Sequence, residues 1–345
     1  MRLVARRTLA LITMLAGTGA VRAAAQAPTV SISGVGYMQY GYQLKDTANH
    51  ANAFDVTRAY LNVIGKFSDG ISTRITGDVY RAATDNSMLY RLKYAYVTYA
   101  PNKTGLSYRF GLTQTPMLDW EEGLYDYRMQ GAMPMERGGY ITSSDFGLAV
   151  DGNWGTDAAV NMQAGIYNGE GYHGATGDQR KDVEARVSMR LMPTDEGGSR
   201  GGLRLTGFVQ YGTPTGGGQR QRFLGMASYK TKQYLVAAEY ASTTDSSTTG
   251  PTPSTKGSVL SAYGYLKVPN SKFALLARVD VVDPNTATTT GAGAKQTRLI
   301  AGVSYQVSPN LRTMIDLDNN SWAGGSTPVQ DLTRSTLYFQ TQMTF

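Results

Sequence analysis

The connections in this sequence take turns at being short and long. Segments that alternate apolar and polar residues are joined by tight links, Ser68 to Gly70, Pro101 to Gly105, Gly155 to Asp157, Pro269 to Ser271 and Ser308-Pro309. Between them fall longer polar links at Asn168 to Arg180, Ser242 to Thr255 and Asp283 to Ala294. A link on the tight side, Pro193 to Gly201, is longer than its fellows. Successive side chains of a strand point to opposite faces, so these segments are two-faced strands. Turns that gather on one side and loops that gather on the other require an even number of antiparallel strands.

Alternating segments bounded by Gly, Pro, Asn, Asp and Ser predict strands at Thr29 to Leu44, Ala53 to Phe67, Ile71 to Arg81, Leu89 to Tyr99 and Leu106 to Thr113. After a long segment without clean alternation, Gln114 to Thr142, they continue at Ser143 to Trp154, Ala158 to Asn168, Lys181 to Met192, Gly202 to Tyr211, Arg220 to Tyr229 and Gln233 to Ala241. The rest are Lys256 to Lys267, Lys272 to Val282, Lys295 to Val307, Asn310 to Asn319 and Leu332 to Phe345. The expected fold is all-β, a transmembrane antiparallel β-barrel of about sixteen strands. No stretch after the first residues approaches the roughly 18 apolar residues of a membrane helix, a test that a barrel escapes because it shows lipid only every second residue. Leu337, Phe339, Thr341, Met343 and Phe345 form one such face, and Thr336, Tyr338, Gln340, Gln342 and Thr344 the other. Tyrosines crowd strand ends, at Tyr37, Tyr40, Tyr42 and at Tyr94, Tyr96, Tyr99, where interfacial girdles would put them.

The first residues read as a secretory leader. Arg2, Arg6 and Arg7 precede a short apolar run from Leu9 to Ala16 and an A-x-A site at Ala23 to Ala25, the layout of a signal peptide spanning 1–25. The domain organisation is then a leader followed by one barrel domain, 26–345. Removing Arg2, Arg6, Arg7 and Arg22 brings the net charge from +7 to +3. Such a balance gives no reason to invoke nucleic acid as a partner. The absence of cysteine excludes disulfides and thiolate metal sites.

The leader, the strand rhythm and the C-terminal aromatic together resemble bacterial outer-membrane porins. "FDVTRAYLNVIGKFSDGISTRITGDVYR" (Phe54 to Arg81), "YAYVTYAP" (Tyr94 to Pro101) and "YRFGLTQTPM" (Tyr108 to Met117) are similar to the phosphate-selective porin O/P group, with its Arg-rich second strand, its "AYV" strand and its glycine-to-proline run into a long third loop. The resemblance implies Sec export, residence in the outer membrane of a Gram-negative-type bacterium among its lipids, and a homotrimer. It also implies that Phe345 is the signal read by the barrel assembly machinery, and that the third loop folds into the lumen.

That loop is the segment Gln114 to Thr142, and a connection of this length is usually functional. It carries Asp119, Trp120, Glu121, Glu122, Asp126, Arg128, Glu136 and Arg137, with acids in excess. Alternation places Arg58, Arg74, Arg91, Lys93 and Arg109 on the lumen face, an expected anion path, because guanidinium groups match oxyanion geometry. Asp78, Glu184, Asp280, Asp316 and Asp318 also read as inward. The expected function is passive diffusion of small hydrophilic solutes or inorganic anions through a water-filled channel. A general porin using the arginines and acids for a transverse field is the second reading. An outer-membrane barrel enzyme or an adhesin-type structural barrel are others. His50 and His173 fall in outer loops without a ligand cluster, so no metal and no cofactor is expected. Ser143, Ser144 and Asp145 lack a nearby histidine to make a catalytic site.

Overall fold

The computed structural model describes residues 27–101, 104–174, 178–214, 217–246, 254–288 and 295–345. The expected leader lies outside the described residues, as do parts of several connections. The strands are β1 Thr29–Gln43, β2 Asn52–Lys66, β3 Ile71–Arg81, β4 Met88–Tyr99, β5 Leu106–Gln114, β6 Ser144–Trp154, β7 Val160–Tyr167 and β8 Asp182–Met192. They continue as β9 Gly202–Gly212, β10 Gln219–Lys230, β11 Tyr234–Ser246, β12 Thr255–Lys267, β13 Phe273–Asp283, β14 Gln296–Ser308, β15 Leu311–Trp322 and β16 Ser335–Thr344. Each pairs antiparallel with its neighbours in sequence, and β1 pairs with β16 to close the barrel. At the seam Gly34 N–H donates to the Phe345 carbonyl at 2.9 Å and Phe345 N–H donates back at 3.2 Å. No helix among the described residues is long and apolar enough to cross a membrane.

The outer face is apolar. Ile32, Leu61, Ile75, Phe110, Leu148, Ile166, Leu205, Val236, Leu260, Leu299 and Ile315 are all exposed, an area that only lipid or another apolar partner can cover. Aromatic pairs sit toward its two rims, Tyr40 with Phe54 (4.7 Å between ring centroids) and Tyr211 with Phe223 (5.4 Å) on the loop side, Phe273 with Tyr305 (4.9 Å) on the turn side.

Three sequence expectations need correction. The girdle assignment holds for Tyr40, Tyr42 and Tyr99, but Tyr37, Tyr94 and Tyr96 face the lumen, where Arg58, Arg74 and Arg109 lie over their rings. The cause in β4 is a bulge. The pairing slips between Thr76 and Gly77, leaving Lys93 as an extra residue, so Arg91 before it and Tyr94 and Tyr96 after it share the inner face. Second, β11 runs on to Ser246, into the segment expected as outer loop. Third, the expected start of the last strand is helix, α3 Pro328–Thr333. Thr327 and Gln330 make a reciprocal capping box there and Pro328 stands in the first turn.

Gly111, just before the long third loop, has φ +126, and a Cβ there would lie 2.4 Å from the Ala95 carbonyl oxygen. Gly225 on β10 has nothing within 4 Å of its Cβ position. Gly111→Ala is therefore expected to lower stability by about 1–3 kcal/mol, and Gly225→Ala to stay within about 0.5 kcal/mol of the parent. Denaturant unfolding of the refolded protein in detergent checks this, and equal midpoints for the two variants would refute the assignment.

Candidate constriction and lumen wall

The third loop turns inward because its ends are tied and its apolar residues have only the lumen to bury in. Thr115 Oγ1 donates to the Thr142 carbonyl and Thr115 N–H to the Ser143 carbonyl, closing the neck. Pro116 then starts helix α1, Pro116–Leu124, and a second short helix, α2 Pro134–Arg137, follows a 3-10 turn at Arg128–Gln130. Met117, Leu118, Trp120, Leu124, Met129, Met133 and Met135 pack with inward residues of β9 to β15, among them Phe208, Leu224, Met226, Leu276 and Met314. This is the apolar core of the molecule, and it lies inside the barrel. Tyr125 stacks edge-on with Tyr263 at 5.2 Å and Tyr127 with Tyr265 at 5.0 Å.

Cations of the far wall bind the loop's carboxylates and carbonyls. Lys230 Nζ donates to Asp126 at 2.8 Å and to the Leu124 carbonyl at 2.7 Å, Tyr265 donates to Asp126 at 2.8 Å, and Lys267 lies 3.2 Å from the same carboxylate. Arg312 donates to the Asp126 carbonyl, Arg278 to the Ala132 carbonyl and Arg222 to the Tyr140 carbonyl. Arg137 pairs with Asp280 at 2.7 Å. Within the loop Arg128 bridges Glu122 and Glu136. Asp119 lies 3.9 Å from Arg200, which reaches up from the long tight-side link, and Trp120 is flanked by Arg186 at 4.5 Å and Arg200 at 5.4 Å.

Glu121 is different. It is fully buried and faces Glu239 of β11, itself 2% exposed; the carboxyl oxygens of both are buried without a hydrogen-bond partner, and neither has a cation at ion-pair distance among the described residues. Burial, and then the facing Glu239 carboxyl, push Glu121 well above the usual carboxylate range.

The opposite wall, β2 to β4, has fewer acids. Arg58 lies 3.8 Å from Asp78 and over Tyr60. Arg74 donates to Asn62 (2.9 Å) and Thr76 (3.0 Å) and lies over Tyr94. Arg91 is sandwiched between Tyr80 and Tyr172, both at about 4.5 Å, and donates to Tyr172 and to His173 Nδ1. Lys93 donates to Ser143 and, at 3.2 Å, to Tyr172. Among the described residues Arg74, Arg91 and Lys93 have no carboxylate within ion-pair distance. Arg109 is bound by Asp151 in a two-pronged pair and by Gln114 at 2.7 Å. Of the expected cations, four thus share the β2 to β4 wall and Arg109 stands apart, neutralised. The inward acids Asp78, Glu184, Asp280, Asp316 and Asp318 are all buried in the barrel interior.

Sequence reading missed Tyr172 and His173. They sit in a 3-10 turn, Gly171–His173, of the β7–β8 connection, which folds onto the lumen cations. Burial, reinforced by Arg91 and Lys93, pushes the His173 imidazole down to about 4, so it is neutral near pH 7 and accepts from Arg91. Spacing gives no hint of this, since Arg91 and His173 are brought together only by the closed sheet. His50 contacts Tyr42 at 3.5 Å. Among the described residues no group of acids and histidines could hold a metal ion.

No protein-family model matches the sequence, and a search of curated proteins finds no match. Solved structures do match in fold. OmpT of Vibrio cholerae, an outer membrane protein folded in vitro and described in its trimer form, aligns with a TM-score of 0.64 at 13% identity over 93% of this chain and 100% of its own. The anion-selective porin from Comamonas acidovorans gives 0.63 at 11% over 92% and 100%. A substituted Rh. blastica porin gives 0.56 at 14% over 92% and 100%. The chain shares its closed sixteen-stranded antiparallel barrel with these outer-membrane proteins.

The Glu121–Glu239 contact gives a signed pH dependence. A carboxyl raised on folding binds its proton more tightly in the native state. Its contribution is complete below the ordinary carboxylate range and is lost as pH rises from there toward the elevated value. Thermal unfolding is expected to show a midpoint falling with rising pH above that range. Glu121→Gln, which removes the titrating carboxyl while keeping its shape, is expected to flatten the slope, and an unchanged slope would sink the assignment.

Proposed function

We propose that this chain is an outer-membrane porin, a water-filled channel through which small hydrophilic solutes diffuse passively, with a preference for anions. The observation that carries the reading is the division of charge across the lumen. Four acids of the inward loop, Asp119, Glu122, Asp126 and Glu136, are each paired with an arginine or lysine and Glu121 faces Glu239, while Arg74 and Arg91, with the buried Lys93, stand opposite without carboxylate partners among the described residues. Cations in a constricted pore raise the local anion concentration and speed anion passage. This division weighs against a purely transverse field between an open acidic loop and a basic wall.

Phosphate as one permeating anion is supported by the similarity of Phe54 to Met117 to the phosphate-selective group and by the paired-donor geometry of guanidinium. Lysine-rich stretches of a strict phosphate channel are lacking. Residence in the outer membrane after Sec export, assembly through Phe345 by the barrel machinery, and a homotrimer belong to the same proposal. The trimer form of the V. cholerae protein supports the last.

A barrel enzyme has less support. Among the described residues the contact nearest to a nucleophile with a base is Ser143 with Lys93, and these are 1% and 0% exposed, so no substrate reaches them.

The test is the zero-current potential of the refolded protein in a planar bilayer under a potassium chloride gradient, repeated with phosphate. A chloride-favouring potential, with conductance reduced by phosphate, is expected. A zero or cation-favouring potential would overturn the anion preference and leave a general diffusion porin.

A further inference from the structure

Below the constriction loop, on the side of the tight turns, lies a polar pocket of about 300 Å³. Tyr96, the cross-strand partner of Arg74, lines it. Beyond Tyr96 stand three guanidinium groups, Arg109, Arg186 and Arg200, and two carboxylates, Asp119 and Asp151. Both carboxylates are engaged, Asp151 by Arg109 and Asp119 by Arg200. Arg186 is the remaining charge.

Arg186 is 4% exposed. Its Nε donates to the Pro116 carbonyl at 3.0 Å and its Nη2 to Asn161, while its Nη1 is buried with no partner. A buried charged donor left unmatched is costly, and an anion that reaches it removes that cost. The guanidinium is held against Trp120 at 4.5 Å, and Arg200 and Arg204 also lie near that ring. Arg200 is held in turn by the Asp119 and Trp120 carbonyls, at 2.8 and 3.2 Å. This gives a purpose to the overlong tight-side link, Pro193 to Gly201, which lifts Arg200 and Ser199 into the lumen.

We propose that this pocket is a second docking subsite, on the turn side of the constriction, for a small oxyanion of the size of inorganic phosphate. Three guanidinium groups against two carboxylates leave a single net positive charge. That suits brief occupation rather than capture, as conduction requires. The subsite rests on the channel reading and adds to it a sidedness that the wall of β2 to β4 alone does not predict.

Inorganic phosphate titrated against the chloride conductance of single channels, from each side in turn, tests it. Half-maximal reduction is expected at a several-fold lower concentration from the turn side than from the loop side. Arg186→Gln is expected to raise the turn-side concentration at least five-fold. Asn161→Asp, which places a carboxylate beside Arg186 and leaves its packing in place, is expected to do the same if the first variant does not fold. Equal potency from both sides, or wild-type potency in a folded variant, would overturn the subsite while leaving the channel. Absence of any conductance in the unsubstituted protein would overturn both.

Discussion

Everything in this molecule follows from the need to satisfy backbone hydrogen bonds where no water can reach them. A sheet in a bilayer cannot leave an edge, because each unpaired N–H or C=O in hydrocarbon is costly. The β1–β16 seam, ending in the paired Gly34 and Phe345, removes the edge. Closure then inverts the usual arrangement of a protein. Apolar side chains go outward, polar ones inward, and among the described residues the compact apolar core forms where the third loop meets the inner wall.

That inward core decides the electrostatics. A loop buried in a polar lumen needs partners for its acids: Glu122 and Glu136 find Arg128 of the loop itself, Asp119 finds Arg200, and Asp126 finds Lys230 and Lys267 on the far wall, where Arg222, Arg278 and Arg312 hold the loop's backbone. Among the loop's acids Glu121 faces another acid, and burial together with that neighbour favours its protonated form. Arg74, Arg91 and Lys93 on β3 and β4 are left to tyrosine faces and neutral donors and acceptors. Aromatic faces and hydroxyls hold an arginine in place without neutralising it, and such a wall can pass anions along.

Much of this architecture was legible in the sequence. Alternation and the tight-then-long rhythm placed every strand of the barrel within a few residues, because a lipid-facing surface enforces the period of two more strictly than a half-solvated sheet does. Failures came where a local interaction outweighed the pattern. The bulge at Lys93 reversed the faces of Tyr94 and Tyr96, and Pro328 with its capping box made a helix where a strand was expected. The inward cations could be listed from parity, but not their partners. Nothing in the spacing of Arg109 and Asp151, Glu121 and Glu239, or Arg91 and His173 says that they meet, since each pair is joined through the closed sheet or the inward loop.

The central claim is that the uncompensated wall, rather than the net charge of the chain, sets the selectivity. Its most direct test replaces Arg74, Arg91 and Lys93 together with glutamine and measures the zero-current potential under a potassium chloride gradient beside the unsubstituted protein. The account predicts a potential that moves from anion-favouring toward zero while the channel still conducts. An unchanged anion-favouring potential would contradict it and place the selectivity elsewhere in the lumen.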